Sequence, residues 1–578
     1  MRMPYPYKIA LYLVSALLCF ELSSFFYCSF SMRNSAQVLA GFLISASNIR
    51  ADITNVATDI NIISRNWGHL SPYQDNLDNS FGVEYAGLPE GCQIESAHTL
   101  QRHAERFPTE WINDGENNQR FGDKVTSFTT THPDNLFTGP LKFLNSWSLV
   151  FPDQGLLTGT GAVAEVAAGV KFWNQYGRTL YNASFGQLAY NSSFPDGTQR
   201  PPLVLRTTDQ SRMQNTQINW ALGFFGSSIS PTPNPSFENA TQPYEVVILS
   251  EKSGTKLNNT LASYVSCLNS DRPAVTSIAD NLYFDYLPKY LASATERLQY
   301  FAPEGFKITI NDTYAMQMIC AYEHAVLGAS EFCGFFTEDE WAGFENSLDI
   351  DYYYNYAFGN PTGRAQGIGY VEELLARLNH SLITSSSNSI NSTLDSDPRT
   401  FPTDQAVYAD FTHDDIIISV LTALSVDYFH APPNFTLTTP EPDRKFILSK
   451  ITPFAGRLIT ETIGCSEPNP IPQKNARVYY SPNQYGYNAS TAKHKFVRMR
   501  LNNGIIPLNT IRGGFCGNEA SGRTDGLCAL EDFIKSQENA SAMANYQYAC
   551  FANYTTDDRA RGWDWDGTIQ TEETTSVK

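Results

Sequence analysis

Residues 406–424 read AVYADFTHDDIIISVLTAL, and this stretch decides the fold class that the sequence predicts. The run Ala406–Phe411 has the length and apolar composition of a buried strand. After a short polar loop, apolar residues recur at helical spacing from Ile416 to Leu424, which predicts a helix directly after the strand. A strand, a short loop and a helix in this order form the repeating unit of a parallel sheet covered by helices.

Two other segments show the same order. Residues 93–100 form a strand-like run that leads to Arg102 and His103. Residues 203–206 form another such run, and after a loop the apolar residues at helical spacing are Ile218, Leu222 and Phe225. The three units together predict an α/β fold with a mostly parallel central sheet flanked by helices, and with an inserted, mainly helical domain between the second and third units.

The predicted domain organisation follows from these units. Within the inserted region, Tyr314–Leu327 and Val371–Leu382 have the spacing of amphipathic helices. In chain order the predicted boundaries are a signal peptide or N-terminal anchor at 1–31, an N-terminal arm at 32–91, the first part of the α/β domain at 92–214, the helical domain at 215–395, the second part of the α/β domain at 396–560 and a flexible acidic tail at 561–578.

The first residues of the chain are typical of an export signal. The apolar run Ile9–Phe20 follows Lys8 and has the length of a signal-peptide core, whereas a helix that spans a bilayer needs about 20 apolar residues. If Glu21 is tolerated in the membrane, the longer stretch up to Phe30 forms an uncleaved anchor instead. We expect a secreted protein, extracellular or in a cell wall, with a single N-terminal membrane anchor as the alternative.

Cysteines and glycosylation sequons support export. Two of the ten cysteines, Cys19 and Cys28, fall in the N-terminal segment, and the remaining eight contain no CxxC pair of the kind that binds zinc. Disulfides persist in oxidising compartments. A high density of N-x-S/T sequons is typical of a secreted glycoprotein. The sequons begin at Asn182, Asn191, Asn239, Asn311, Asn379, Asn391, Asn434, Asn488, Asn539 and Asn553.

The charge balance excludes some partners. A formal net charge of −19 at pH 7 argues against nucleic acids and anionic membrane surfaces. An anionic substrate must therefore be attracted by a local cluster of cationic side chains. An acidic composition also suits a protein that works at low pH, where many carboxylates are protonated.

Such a cluster is predicted where the three strands end. Ligands of open α/β sheets bind outside the carboxyl ends of the strands. The polar residues that follow the three predicted strands are Arg102, His103, Arg106, Asp209, Arg212, His413 and Asp414. Guanidinium groups bind phosphate oxygens in bidentate fashion, and helix N-termini add partial positive charge, so this set of residues suits a phosphate group.

The same residues supply what phosphomonoester hydrolysis needs. His103 is the candidate nucleophile, which attacks phosphorus and gives a phosphohistidine. Arg102, Arg106, Arg212 and His413 are the candidate substrate-binding residues, which stabilise the transferring oxygens without a metal ion. Asp414 is the candidate proton donor to the leaving alkoxide, and its carboxylate then deprotonates the attacking water.

These segments resemble the motifs of histidine acid phosphatases. Residues 102–108, RHAERFP, resemble the RHGxRxP motif, and residues 408–414, YADFTHD, resemble the HD motif as it occurs in the fungal phytase branch. Residues 67–72, WGHLSP, and residues 359–369, GNPTGRAQGIG, are similar to further stretches of that branch, as are residues 453–465 and 506–516. The resemblance covers approximately residues 65–552.

The resemblance implies an acid phosphatase that needs no cofactor and acts on small phosphate esters, with phytate among them. It implies Arg212 as the third phosphate-binding arginine and makes Arg206 the less suitable candidate. It also implies the disulfide pairs Cys92–Cys465, Cys267–Cys550, Cys320–Cys333 and Cys516–Cys528.

The chain departs from the family pattern at several positions. Ala104 replaces the motif glycine, and its Cβ is expected to crowd the phosphate if the position needs a positive φ or a close approach of the backbone. Asp415 follows the HD pair, and a second carboxylate is expected to raise the pKa of Asp414. Lysines and a basic pair of the phytases are replaced by acidic residues or tyrosine, which disfavours phytate and favours a broad acid phosphatase. These replacements are Glu110, Asp114, Glu116, Asp351 and Tyr352.

Simpler interpretations accompany these assignments. Asp414 suits an ordinary N-cap, Arg212 suits a solvated helix position, and Asp209 is read as a capping or orienting residue. His69 and His98 are read as structural, and Tyr352 as part of a packed pocket wall. At the level of function, the alternatives are a phosphomutase-type relative and a secreted glycoprotein of the same fold whose catalysis is impaired by Ala104.

Overall fold

The structure is a computed structural model that describes residues 56–151, 155–226, 243–252, 258–475, 483–517, 523, 525–557 and 559–569. The predicted signal peptide or anchor lies outside these residues, as does residue 239 with its sequon. Within the described ranges, no helix combines the length and the apolar character that crossing a bilayer requires.

A central sheet carries the site. Its strands are β1 (Cys92–Arg102), β2 (Leu203–Thr208), β3 (Tyr244–Leu249), β4 (Val407–Thr412), β5 (Arg457–Cys465), β6 (His494–Leu501), β7 (Gly504–Ile505) and β8 (Cys528–Ala529). They lie in the order β3-β2-β4-β1-β5-β6-β7, and β8 pairs with β6. The four strands from β3 to β1 run parallel, whereas β5 to β8 pair with their neighbours in antiparallel fashion.

The predicted α/β class is confirmed, but the sheet is mixed rather than mostly parallel. The parallel half contains all three predicted units. The antiparallel half was not predicted as strands. Antiparallel strands need no crossover helix, so this half of the sheet lacks the strand–helix alternation from which the parallel half was predicted.

Long helices cover the sheet and form the region beside it. In the described part, those of ten residues or more are α1 (Asn117–Thr131), α2 (Gly159–Phe172), α3 (Ser211–Phe225), α4 (Pro273–Gln299), α5 (Ile310–Leu327), α6 (Glu338–Tyr356), α7 (Gly363–Leu378) and α8 (Asp414–Ala423). Shorter α-helical segments are Ile60–Ile63, Arg178–Leu180, Ser392–Asp395, Leu448–Ile451, Leu530–Ser536, Ala540–Ala544 and Tyr546–Phe551. The predicted helix at 314–327 lies in α5, and the one at 371–382 ends earlier, at Leu378.

Two of the predicted domain boundaries need correction. Strand β3 lies within the predicted helical domain at 215–395 but pairs in parallel with β2, so it belongs to the sheet. Residues 561–569 of the predicted flexible tail are packed against the protein, because Asp566 forms ion pairs with Arg364 at 3.0 Å and with Arg512 at 2.6 Å. The acidic composition of this segment reflects ion pairing as well as solvation.

Of the three apolar positions that the spacing predicts for the buried face of helix α3, only Phe225 is buried. Ile218 and Leu222 are 46% and 37% exposed, whereas Trp220 and Phe224 are buried against the sheet. The buried face meets α2 at very close range, since a Cβ added at Gly223 would lie 2.1 Å from the carbonyl oxygen of Val166. The contact with α2 therefore decides which face of α3 is buried.

A second close helix contact orients α8, whose first residue is Asp414. A Cβ added at Gly367 of α7 would lie 2.0 Å from the carbonyl oxygen of Ser419 in α8. Only glycine allows the two helix backbones to approach in this way. Gly367 thus belongs to the packing that holds α8, and with it Asp414, at the end of the sheet.

The disulfide pairs implied by the family resemblance are confirmed: Cys92–Cys465, Cys267–Cys550, Cys320–Cys333 and Cys516–Cys528. The first joins β1 to β5 across the boundary between the parallel and antiparallel halves of the sheet. The asparagines of the ten sequons that lie in described residues, Asn258 before Asn259 and Thr260 included, are all exposed or half-buried.

Candidate active site

The register of the parallel strands brings the two predicted motifs together. Arg102 at the end of β1 is paired with Thr412 at the end of β4, and the amide of His103 donates to the carbonyl of Thr412 at 3.3 Å. The rings of His103 and His413 are consequently 5.7 Å apart. Residues separated by about three hundred positions in the chain thus share one strand edge.

His103 is buried as a neutral imidazole with a defined tautomer. Its Nδ1 lies 2.9 Å from the carbonyl oxygen of Ala104. A carbonyl only accepts hydrogen bonds, so Nδ1 carries the proton and Nε2 keeps its lone pair. Burial and the positive charges of Arg102 and Arg212 lower the pKa of His103 well below its usual value. The ring therefore remains unprotonated in acid.

Ala104 fits its position without strain. Its φ is not positive, so the expected need for glycine on that ground is not met in this chain. The side chain is buried. The loop that follows is held by pairing with residues 155–158, in which the amide of Phe107 donates to the carbonyl of Leu156 at 2.9 Å.

Arg102 is fully buried and held on both sides. Its Nη1 donates to the carbonyl oxygens of His69 and, at 2.8 Å, of Thr452. Its Nη2 lies 2.8 Å from Oδ2 of Asp414, and the guanidinium plane lies over the ring of Phe454, with 4.8 Å to the ring centroid. Neighbouring groups thus set the directions of both Nη atoms of this guanidinium.

Arg106 is held by Asp114. The sequence analysis names Asp114 only as an acidic residue in a region where the phytases have lysines. Nη1 of Arg106 lies 3.2 Å from Oδ2 of Asp114 and donates to the hydroxyl of Tyr322 at 3.1 Å. Burial favours the neutral form of Asp114, but Arg106 and the hydrogen bonds of Thr109 outweigh it and lower the pKa of Asp114. Asp114 is therefore an ionised partner of Arg106.

Arg212 completes the cationic group from the first turn of α3. Its Nη1 donates to the carbonyl of Gly155 at 3.4 Å. Burial and the like charge of Arg106 lower the pKa of Arg212. The Nε atoms of Arg102, Arg106 and Arg212 are buried and have no hydrogen-bond partner among the described residues. Arg206, by contrast, is engaged elsewhere, 2.9 Å from Glu373.

His413 is oriented by Glu251, which the sequence did not indicate. Nε2 of His413 lies 3.0 Å from Oε1 of Glu251, and the Tyr264 hydroxyl donates to the other carboxylate oxygen. Burial opposes ionisation, but His413 and neighbouring hydroxyl groups lower the pKa of Glu251 to about 2. Asp209 orients this loop, since its Oδ1 accepts from the Glu251 amide at 2.8 Å. A carboxylate that follows a strand would have indicated Glu251. Because the sequence predicts a helical domain at 215–395, it does not identify strand β3 and so does not indicate Glu251.

The surroundings of Asp414 favour its ionised form. Its Oδ2 accepts from the Tyr352 hydroxyl at 2.9 Å in addition to Arg102. Burial favours the acid form, but Arg102, Arg106 and Tyr352 outweigh it and hold the pKa of Asp414 well below its usual value. The expectation that Asp415 raises this pKa is wrong. Burial and the charge of Asp414 instead raise the pKa of Asp415, so Asp415 carries the proton.

His69 lies beside the site rather than in a remote core. Its ring centroid is 4.7 Å from that of Tyr352, and its carbonyl accepts from Arg102. Burial lowers the pKa of His69 to about 3. His98 is structural, as expected, and its ring stacks on that of Tyr408 at 4.2 Å. No sequence pattern distinguishes these two histidines, because they differ only in the residues that surround them in the folded protein.

The site offers anions a cationic surface. In the ranges that the structure describes, no group of three or more histidine, cysteine or acidic side chains is placed to hold a metal ion. The structure places His103, Arg102, Arg106, Arg212, His413 and Asp414 together at the carboxyl end of the parallel strands.

Residues 93–502 match the histidine phosphatase superfamily (branch 2). The chain belongs to this superfamily. The chain is 26% identical to phytase A of Aspergillus oryzae, covering 85% of this chain and 91% of that protein. It is also 26% identical to a thiamine-repressible acid phosphatase of Schizosaccharomyces pombe, covering 88% of this chain and 94% of that protein.

The fold has a counterpart among solved structures. The phytase from D. castellii superposes with a TM-score of 0.62 at 23% identity, covering 88% of this chain and 92% of that chain. The family predicted from the two motifs is confirmed, and with it the predicted class of enzyme, a phosphoric monoester hydrolase.

The buried arginines predict anion binding that stabilises the folded protein. A ligand that binds only the folded state stabilises it by about 2.7 kcal/mol at a hundredfold excess over its Kd. We expect inorganic phosphate to raise the Tm of the wild type, and the Arg212→Met variant to lose at least half of that increase, as measured by calorimetry. Arg399→Met is the control, because its side chain is 85% exposed. An unchanged response of Arg212→Met would exclude Arg212 from anion binding.

Proposed function

We propose that this protein is a secreted acid phosphatase that hydrolyses phosphomonoesters through a phosphohistidine at Nε2 of His103. The observation that carries the proposal is a buried imidazole whose Nδ1 donates to the Ala104 carbonyl and whose pKa is lowered by burial and by the charges of three buried arginines. An imidazole that stays unprotonated in acid is a nucleophile where an ordinary histidine is not.

In the first step the Nε2 lone pair attacks phosphorus, and the ester P–O bond breaks on the opposite side. Arg102, Arg106, Arg212 and His413 bind the three non-bridging oxygens and stabilise their charge in the transition state. The imidazole ring becomes positive as the P–N bond forms. Its Nδ1–H group already donates to the Ala104 carbonyl, which stabilises that charge.

Asp414 gives its proton to the leaving alkoxide, and substrate binding supplies that proton. The pairing with Arg102 favours the ionised form of Asp414. A bound phosphate takes over Arg102 and places its own negative charge beside the carboxylate, and both changes raise the pKa of Asp414. Proton uptake on binding then becomes easier as the pH falls, which supports activity in acid.

In the second step water attacks phosphorus, the P–N bond breaks and His103 returns to its neutral form. The Asp414 carboxylate, which has just lost its proton, accepts one from the water. A phosphomutase-type relative would pass the phosphoryl group to another hydroxyl instead. A catalytically impaired glycoprotein would bind phosphate and release none, but the unstrained backbone at Ala104 argues against impairment at that position.

We propose small phosphate esters as substrates, with phytate as a poor one. Glu110 and Glu116 are exposed on the segment that follows the first motif, where a polyanion would approach. Asp114 pairs with Arg106. Unlike a lysine at this position, it adds no cation that could bind a second phosphate group. Like charges at the entrance disfavour a substrate with many negative charges more than a simple monoester.

We propose a secreted protein because four disulfides persist only in an oxidising compartment. The exposed or half-buried sequon asparagines support N-glycosylation during export.

The nucleophile is tested by His103→Ala, which is expected to abolish phosphate release from an aryl phosphate, a loss of at least about a thousandfold. Wild-type enzyme mixed with radiolabelled substrate and quenched in alkali should carry a label that His103→Ala lacks. The control is His132→Ala, because His132 is exposed. Appreciable turnover by His103→Ala would place the nucleophile elsewhere. Absence of release by a folded wild type would favour the impaired glycoprotein, and label transfer without hydrolysis would favour a mutase.

The proton donor is tested by Asp414→Asn with two leaving groups. Alkyl phosphates need the proton, whereas aryl phosphates leave as weakly basic phenolates. We expect kcat to fall at least about a hundredfold for glycerol phosphate and clearly less for p-nitrophenyl phosphate. Equal losses for both substrates would contradict the donor assignment.

The substrate preference is tested by comparing kcat/KM for phytate and for an aryl phosphate over acid pH. We expect the aryl phosphate to be preferred, and the double variant Glu110→Lys, Glu116→Lys to raise kcat/KM for phytate about tenfold. The matched control is Glu296→Lys, Glu304→Lys, which makes the same charge change at exposed positions elsewhere. A wild type that prefers phytate would contradict the proposal.

A further inference from the structure

Arg102 takes its direction from two segments that lie outside the sheet. Its Nη1 donates to the carbonyl oxygens of His69 and Thr452, and these two contacts leave Nη2 pointing towards Asp414. Neither carbonyl belongs to a strand. The position of the Arg102 guanidinium therefore depends on the positions of segments 67–71 and 448–452.

Two buried carboxylates of α6 hold both segments. Glu345 accepts the Gly68 amide at 2.5 Å, one residue before His69, and the Ser449 amide at 2.8 Å. Asp349, one turn further along α6, accepts the Leu448 amide at 2.7 Å. Both carboxylates have 0% exposure. We call Glu345 and Asp349 the carboxylate pair.

A glycine allows the first of these segments to pack closely against α6. Gly68 has a φ of +54°, and a Cβ there would lie 2.7 Å from Cδ1 of Leu348 on α6. On the same face of α6, one turn after Asp349, Tyr352 donates to Asp414 at 2.9 Å. One helix face thus contacts the supports of Arg102 and also the carboxylate that Arg102 binds.

We propose that Glu345 and Asp349 are positioning residues for phosphate binding, which act by fixing the two backbone carbonyls that aim Arg102. The inference rests on the proposed function, because it assigns Arg102 to the substrate's phosphate group. It goes further in placing the determinant of that contact in the helical region.

The pair also makes this support sensitive to pH. Burial raises the pKa of both carboxyl groups, and it raises the pKa of Asp349 to about 8. The charged or titratable groups that face the pair are Arg444, which lies 3.1 Å from Asp349, and Tyr286 from α4. Asp349 therefore gains a proton as the pH falls below about 8, which reduces the negative charge that Arg444 has to balance.

The sign of the stability effect follows from the raised pKa. A carboxyl group whose pKa is raised from 3.8 to about 8 by folding contributes stability that is fully present below the lower value and is lost as the pH rises through the higher one. The support of Arg102 is therefore firmest in acid, where the enzyme is proposed to work.

The test uses Glu345→Gln and Asp349→Asn in the full chain. Glutamine has one acceptor oxygen for two backbone amides, so one segment loses its hydrogen bond and Arg102 is misplaced. We expect Glu345→Gln to weaken binding of inorganic phosphate, measured by calorimetry, about tenfold at every pH, and to raise KM for p-nitrophenyl phosphate equally, with kcat within about threefold.

Asparagine keeps an oxygen for the single Leu448 amide. Asp349→Asn should therefore bind phosphate as the wild type does near pH 5, about three units below the raised pKa.

The pH dependence separates positioning from a general loss of stability. The wild type should bind phosphate more weakly above about pH 8 than at pH 6, and Asp349→Asn should lack that loss. Glu340→Gln is the matched control, because Glu340 is a buried carboxylate of the same helix that binds Arg297 at 2.7 Å and no support of Arg102. It should lower Tm without changing phosphate affinity.

Phosphate affinity within twofold of wild type in Glu345→Gln, with a Tm loss like that of Glu340→Gln, would overturn the inference. If Glu345→Gln fails to fold, Arg444→Gln is the deciding variant. Losing Arg444 raises the pKa of the carboxylate pair, so phosphate binding should weaken at a higher pH than in the wild type. An unmoved profile would overturn the proposal. Because calorimetry measures binding without turnover, a wild type that binds phosphate but releases none would refute the proposed function alone.

Discussion

The structure depends on keeping three guanidinium groups buried side by side. Burying charge is costly unless partners compensate, and here the carboxylate partners are few. Arg102 has Asp414 and Arg106 has Asp114, whereas Arg212 has only the Gly155 carbonyl within reach among the contacts described for it. Several buried N–H groups remain without an acceptor. In the proposed function, the oxygens of a bound phosphate accept hydrogen bonds from these groups, so substrate binding offsets part of the cost of burying them.

The same positive charges decide where protons reside. They keep the imidazole of His103 neutral, and they keep Asp414 ionised although it is buried. The adjacent Asp415 faces the charge of Asp414 and holds its proton. In the proposed mechanism His103 is thus an unprotonated nucleophile, and the proton for the leaving group arrives together with the substrate's negative charge. Activity in acid follows from this order of events more directly than from the overall acidity of the chain.

The helical region takes part in the chemistry through α6. The hydroxyl of Tyr352 on this helix donates to Asp414. Glu345 on the same helix accepts the amide of Gly68 and so holds the segment that carries the His69 carbonyl. The close contact at Gly367 holds α8 in turn, with Asp414 at its first position. The sheet edge brings His103 and His413 together, but helices outside the sheet set the directions in which Arg102 and Asp414 point.

The sequence by itself determined the α/β class, the strand edge that carries the site and the six residues of the motifs, because local periodicity shows strand–loop–helix units and parallel strands end at one edge. Only the tertiary structure decided the antiparallel half of the sheet, the buried face of α3, the packing of residues 561–569 and the roles of Glu251, Asp114 and His69. Those features depend on contacts between segments far apart in the chain. Periodicity reports only on neighbours within a few residues, and a pKa depends on burial and on charges that folding alone brings near.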